Sequence, residues 1–159
     1  MASPKAPPTE RLLRSWDRLS PLPGGTWLFS RLLGIMVPYT GTVGAHVREL
    51  RAGYCRVTLR DRGRVRNHLN SIHAIALANL GEVTSGLAMI AALRPGVRSI
   101  LTSLSIEFVK KARGVLTAEC SCSAPNVEEP TEQAVTAEIR DAEAQIVARV
   151  VATWRLSPP

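Results

Sequence analysis

The stretch from Ile72 to Leu93 constrains this chain more than any other. It is aliphatic, small or neutral throughout except for His73 and one carboxylate, Glu82, and it is closed by Pro95 and Gly96. Its length and composition predict a helix that is apolar on all sides, which is stable only when buried. A carboxylate inside such a helix is costly unless something pairs with it or uses it. The helix also carries Gly81 and Gly86 at interior positions. Each interior glycine costs up to about 1 kcal/mol relative to alanine, so two of them imply close approach to the helix backbone, by a sheet wrapped around it or by a ligand lying along it.

The flanking sequence supplies the sheet. Cys55, Val57 and Leu59 alternate with Arg56, Thr58 and Arg60, the pattern of a strand with one buried and one wet face. Ala45 to Arg51 alternates less cleanly and turns at Ala52-Gly53, so the two segments read as a hairpin, followed by a basic loop from Asp61 to Arg66. Beyond Gly96 the period is that of strands. Ile100, Leu104, Ile106 and Phe108 are expected on one face, with Leu101, Ser103, Ser105 and Glu107 on the other. Leu116, Ala118, Cys120 and Cys122 form a second apolar face. Val135, Ala137 and Ile139 then turn at Asp141-Ala142-Glu143 and return through Ile146, Ala148, Val150, Ala152 and Trp154. The expected architecture is two strands, a central helix and about four further strands, an antiparallel α+β arrangement with the helix in the concavity of a curved sheet.

The first forty residues differ in character. Met1 to Pro8 reads as a flexible tail, and Thr9 as the N-cap of a short amphipathic helix through Leu12, Leu13, Trp16 and Leu19. Pro21, Pro23, Gly24 and Gly25 break it, and a second helix is expected from Trp27 to Val37, ending at Pro38. Residues 9–159 are read as a single domain, with 9–40 as a helical extension and 44–156 as its core. The extension either caps the body or forms an arm onto a partner subunit.

Composition excludes several classes. With 159 residues, 45% hydrophobic and 4% aromatic, the chain can build a sizeable aliphatic core and is not of disordered type. The early apolar run Trp27 to Val37 is too short to span a membrane, and the Pro-rich start does not resemble a signal peptide, so a cytoplasmic location is expected. Three cysteines without an export signal do not suggest a disulfide framework, and no metal-ligand cluster accompanies them. The net charge of +7 rests almost entirely on arginine. It suits phosphate-bearing partners, although scattered arginines also arise from codon preference. Nucleic-acid binding would need aromatic side chains for stacking, and few are present.

Strand pair, buried helix and twisted meander follow the order of the hotdog fold, and the stretch from Asn67 resembles its thioesterase members. The similarity is to the phenylacetyl-CoA thioesterase-like group, whose motif reads N-x-x-G-x-x-H-G-G with a carboxylate nine residues after the histidine. Asn67, Asn70, His73, Ala74 and Ile75 stand at the motif positions, and Glu82 lies nine beyond His73. The closing segment from Asp141 to Trp154 also resembles the last hairpin of that fold. The resemblance covers roughly Gly44 to Leu156 and is nearest to a domain-of-unknown-function branch of the superfamily. Asn70, Ala74 and Ile75 replace the usual glycines, and Glu82 replaces the commoner aspartate. Glutamate serves the same role in the related 4-hydroxybenzoyl-CoA group.

The resemblance implies an acyl-CoA thioesterase that needs no cofactor beyond the coenzyme A of its substrate. The Ala74 N–H, at a helix N-terminus, would polarise the thioester carbonyl. Glu82 would act as general base or as nucleophile. Nine residues at about 100° each place His73 and Glu82 on opposite sides of an ideal helix, so one chain cannot aim both at a single substrate. The family solves this with a homodimer, sometimes a dimer of dimers, in which Asn67 and His73 of one chain meet Glu82 of the other. Asn67 would orient water or the carboxylate, and His73 would hold backbone geometry. Thr102 or Ser103 would position the water. Lys110, Lys111 and Arg113, with Arg64 and its neighbours Arg62 and Arg66, are the candidate donors to the coenzyme A phosphates. Each residue also has a plainer role open to it: Glu82 bonded to Asn79, Thr84 or Ser85, His73 as a cap, Asn67 as a turn former and the cations as a solvated loop. A catalytically silent module that binds acyl-CoA or lipid is the alternative to an enzyme.

Overall fold

The two interior glycines are explained by the sheet. In the computed structural model, which describes residues 8–159, the long apolar stretch forms helix α4 (Ala74–Ala92). A Cβ added at Gly81 would lie 2.4 Å from Val150 Cγ2, and one at Gly86 would lie 2.9 Å from Trp154 Cη2. Both contacts come from the same strand, β6 (Ile146–Ser157), which crosses the helix so closely that only glycine fits beneath it. By length and a mean hydropathy of 1.5, α4 would suffice to cross a membrane, but most of it is buried against the sheet.

The remaining strands are β1 (His46–Arg51), β2 (Tyr54–Arg60), β3 (Arg98–Phe108), β4 (Val115–Ser121) and β5 (Thr131–Arg140). Together the six form one antiparallel sheet in the order β1-β2-β4-β5-β6-β3. This is the expected arrangement of two strands, one helix and four strands. Cys55, Val57 and Leu59 of β2 are fully buried, as their alternation requires, and Gly53 adopts a φ of 71° in the turn of the first hairpin. The irregular alternation of β1 reflects a bulge between Val47 and Glu49. Cys55 and Cys120 face each other across β2 and β4 as buried free thiols, and burial pushes the Cys120 thiol up to about 12.

The edge strand β3 departs from its expected phase. A register shift between Leu101 and Ser103 inserts an extra residue, Thr102, against β6. Leu101 therefore pairs with inward-facing Trp154 while Ile100 pairs with Arg155 and faces out, 68% exposed. Leu104, Ile106 and Phe108 keep the inner face opposite Ala152, Val150 and Ala148. Simple alternation cannot register a bulge, because the inserted residue resets the parity of every position before it.

Among the described residues three helices precede the sheet where two were expected. Helix α1 (Pro8–Leu19) begins at Pro8, so Thr9 lies inside the first turn and is not its cap; the remainder of the tail read at residues 1–8 lies outside the described residues. Helix α2 (Gly25–Met36) packs back on α1 through an edge-to-face contact of Trp16 with Phe29, their centroids 5.0 Å apart. Gly25 is required at this corner, where a Cβ would collide with the Leu19 carbonyl. Pro38 does end α2, but it also opens α3 (Pro38–Val43), since the fixed φ and missing N–H of proline suit the first helical turn.

Candidate active site

The polar segment before α4 is held by its own side chains. Asn67 Oδ1 accepts hydrogen bonds from Leu69 N at 2.9 Å, Ser71 Oγ at 3.2 Å and Ser71 N at 3.3 Å, and the Asn67 N–H donates to Ser71 O. The turn-forming role of Asn67 is thus filled by its oxygen, while Nδ2 has no acceptor among the described residues. Within this turn Asn70 has a φ of 53°. Asparagine is among the few non-glycine residues that visit the left-handed region readily, which is how it occupies a motif glycine's place. The Arg113 guanidinium donates to Asn70 O at 3.2 Å and reaches Leu69 O at 3.5 Å. Arg113 therefore clamps the turn, and its fork is directed at carbonyls.

His73 is the N-cap of α4. Its Nδ1 accepts from Ile75 N at 3.1 Å, and its backbone bridges Val65 O and Leu77 N. The ring therefore caps the first turn of α4. Ala74 is the first helical residue, and its N–H has no acceptor among the described residues. That leaves this N–H, with that of Ala76, unpaired in the first turn at the positive end of α4. A recess of about 510 Å³ opens at this end of α4, lined in part by His73, Ile75, Tyr39, Arg64 and Arg66.

Glu82 is only half-buried, unlike the helix around it. It lies on the stripe Ile75, Ala78, Glu82, the side of the N-terminal half of α4 that the sheet leaves uncovered. Of the plainer partners, Thr84 donates its hydroxyl to Leu80 O at 2.6 Å and Ser85 to the backbone O of Glu82 at 3.0 Å. Among the described residues the carboxylate itself is met only by Asn79 Nδ2, at 3.5 Å, the outer limit of a hydrogen bond. No cation pairs with it among the described residues. Asn79 Nδ2 also donates to Thr40 Oγ1 of α3 at 3.1 Å, and Asn79 Oδ1 is buried without a partner. Thr40 is the site neighbour that sequence reasoning missed. The available signal was Pro38, which starts the helix that carries it.

Ala74 and Glu82 are eight residues apart on one helix, which separates them by about 12 Å along its axis. The chain therefore does not bring its own N–H and carboxylate together. Thr102 and Ser103 do not approach them either. The Thr102 hydroxyl bonds Glu132 Oε1 and Thr153 O, each at 3.2 Å, and Ser103 pairs with outward-facing Thr153, so the bulge turns both to the outer face of the sheet.

The cations divide into engaged and free. Lys110 Nζ lies 2.6 Å from Asp141 Oδ2 and 2.7 Å from Gln145 Oε1, and this hydrogen bond, with N–H groups of Gln145 and Glu143, holds the Asp141 carboxyl below the usual aspartate range. Arg66 pairs with Asp61 at 2.6 Å and lowers that carboxyl likewise. Arg62 donates to Val43 O and Gly44 O. Lys111 and Arg64 have no partner among the described residues and remain available.

This fold is shared with solved proteins. A structural-genomics crystal structure is 26% identical with a TM-score of 0.82, covering 95% of this chain and 99% of that one. A Pseudomonas aeruginosa protein described as a probable thioesterase is 22% identical with a TM-score of 0.74, covering 86% and 96%. A hypothetical thioesterase from Streptococcus pneumoniae solved with coenzyme A is 22% identical with a TM-score of 0.61, covering 72% and 86%. No curated protein matches by sequence. These similarities, with the helix held in its antiparallel sheet, make the architecture a hotdog fold. The family described as Domain of unknown function (DUF4442) matches residues 25–156, so α2 and α3 fall within the matched region while α1 precedes it. The chain belongs to the Domain of unknown function (DUF4442) family.

Proposed function

We propose that this protein hydrolyses acyl-CoA thioesters, as the phenylacetyl-CoA thioesterase-like group does, at a site shared between two copies of the chain. The observation that carries the reading is the pairing of two unsatisfied groups on α4: the free Ala74 N–H at its start and the uncovered Glu82 carboxylate two turns on. An N–H at a helix N-terminus stabilises the negative charge that develops on the thioester oxygen. A carboxylate supplies the base for water, or the nucleophile. In the shared site, Ala74 N–H and Asn67 Nδ2 of one copy face Glu82 of the other.

The edge strand supports this dimer. Along β3 the outer edge is unpaired; Ile100 is 68% exposed on the outer face, and Leu104 and Phe108 are 37% and 52% exposed on the inner face beside that edge. A long apolar edge of this kind is normally covered, and a second β3 running beside it would continue the sheet. Lys111 and Arg64 are the donors left for the coenzyme A phosphates. The description of a related fold with coenzyme A bound fits a ligand of this class.

Purified protein should release free thiol from at least one member of an acyl-CoA panel, and Glu82→Gln should abolish the release while leaving the melting temperature near that of the wild type. The alternative, a module that binds acyl-CoA without turnover, draws on Ile75, 53% exposed at the mouth where the motif carries glycine. Stabilisation by acyl-CoA with no thiol release would select it.

A further inference from the structure

A second cavity, larger than the recess at the start of α4, has neither Glu82 nor Ala74 in its lining, although Thr40 and Arg64 border both it and the helix site. It occupies about 690 Å³ between the helix pair α2-α3 and the hairpin β1-β2, within the range of about 300–1,000 Å³ usual for small-molecule sites. Its lining has two chemistries. The floor is aliphatic: Leu33, Val47 and Val57 are buried and line it with Val83 of α4. The walls carry Arg31, Arg48, Arg60, Arg62 and Arg64, with no aspartate or glutamate in the lining.

None of these five arginines is ion-paired with a carboxylate among the described residues. The Nε of Arg62 is buried without an acceptor, although its other nitrogen bonds two carbonyls. His46, on the same wall, is held below its ordinary value by burial first and then by Arg48 and Arg60. A positive wall without internal counter-charge favours an anionic guest, because guanidinium groups form charge-assisted bonds to carboxylate and phosphate oxygens. The mouth is apolar, with Trp27 58% and Ile35 73% exposed. An inorganic anion would satisfy the arginines and leave the floor and mouth unused.

We infer that this cavity binds a single-chain amphiphile with an anionic head, the head held by the arginine wall and the chain lying over Leu33, Val47, Val57 and Val83. The site is complete within one chain and does not depend on thioester hydrolysis.

Isothermal titration of the full chain with dodecanoate and dodecyl phosphate, below their micelle concentrations, tests this. Saturable binding is expected with either, and none with inorganic phosphate or dodecanol at the same concentrations. Arg60→Glu and Arg48→Glu should each weaken dodecanoate binding by about tenfold or more, the loss expected for one charge-assisted bond. Glu82→Gln should bind dodecanoate as tightly as the wild type whether or not the protein hydrolyses any thioester. Tighter binding in Glu82→Gln, which removes a repelling carboxylate from the helix site, would overturn the inference by assigning the ligand there. So would undiminished binding by both arginine variants in proteins with wild-type melting curves, or binding of phosphate alone. Binding seen only on vesicles containing anionic lipid would overturn the pocket in favour of a surface contact.

Discussion

Asn79 stands one turn before Glu82 on α4 and places its Nδ2 3.5 Å from the Glu82 carboxylate, while the same nitrogen donates to Thr40 at 3.1 Å. A neutral donor at that range orients the carboxylate without neutralising it. Asn79→Leu keeps the volume and removes that donor, so kcat of thioester hydrolysis should fall while the protein still folds. An unchanged kcat would make Asn79 a structural link to α3 only.

The left-handed turn gives a second prediction. Asn70 at a φ of 53° should tolerate glycine, whereas Asn70→Ala should lose about 1–2 kcal/mol of stability, the cost of a Cβ in that region. Urea unfolding of the two variants separates them. Equal stability of both would mean that the turn does not need this conformation.

Close packing of the sheet on the helix gives a third. Alanine at Gly81 gains helix propensity but meets Val150 at 2.4 Å, so Gly81→Ala should be destabilised by about 1–3 kcal/mol, as overpacking usually costs. Val150→Ala in the same chain should recover part of the loss. A double-mutant cycle with no coupling would contradict the contact.

Acid stability gives a fourth. Asp141, beside Lys110, has a folded value below 3.8, so its contribution is present above that pH and is lost as pH falls toward the folded value. Asp141→Asn should melt below the wild type at neutral pH, and the gap should close as the pH falls below 3.8. A gap that stays constant across the acid range would assign the effect to packing.

The reach of the sequence can be traced residue by residue. The apolar run around Glu82 and the alternation of Cys55, Val57 and Leu59 were sufficient to place the helix and sheet, because burial imposes periods that a sequence displays directly. Other features depend on contacts that periodicity does not encode. The bulge at Thr102 reversed the faces of Ile100 and Leu101, and Pro38 opened a helix that it was expected only to forbid. Lys110 looked free in sequence and is engaged by Asp141, which lies on a hairpin thirty-one positions away. The arginine-walled cavity is built from five separate elements and the loop after β2, so no local motif announces it.

The central claim is that Ala74 of one copy and Glu82 of another form one site, and subunit mixing tests it directly. Ala74→Pro removes the N–H at a position where proline is favoured, and the residue before it already has an extended ψ of 142°. It should lower kcat by about 100- to 1,000-fold with the fold intact, and Glu82→Gln should be inactive. After unfolding and refolding together in equal amounts, about half of the dimers are mixed and each has one intact site of two, so about a quarter of wild-type activity should return. A mixture as inactive as its components, with mixed dimers demonstrated by mass, would contradict the shared site.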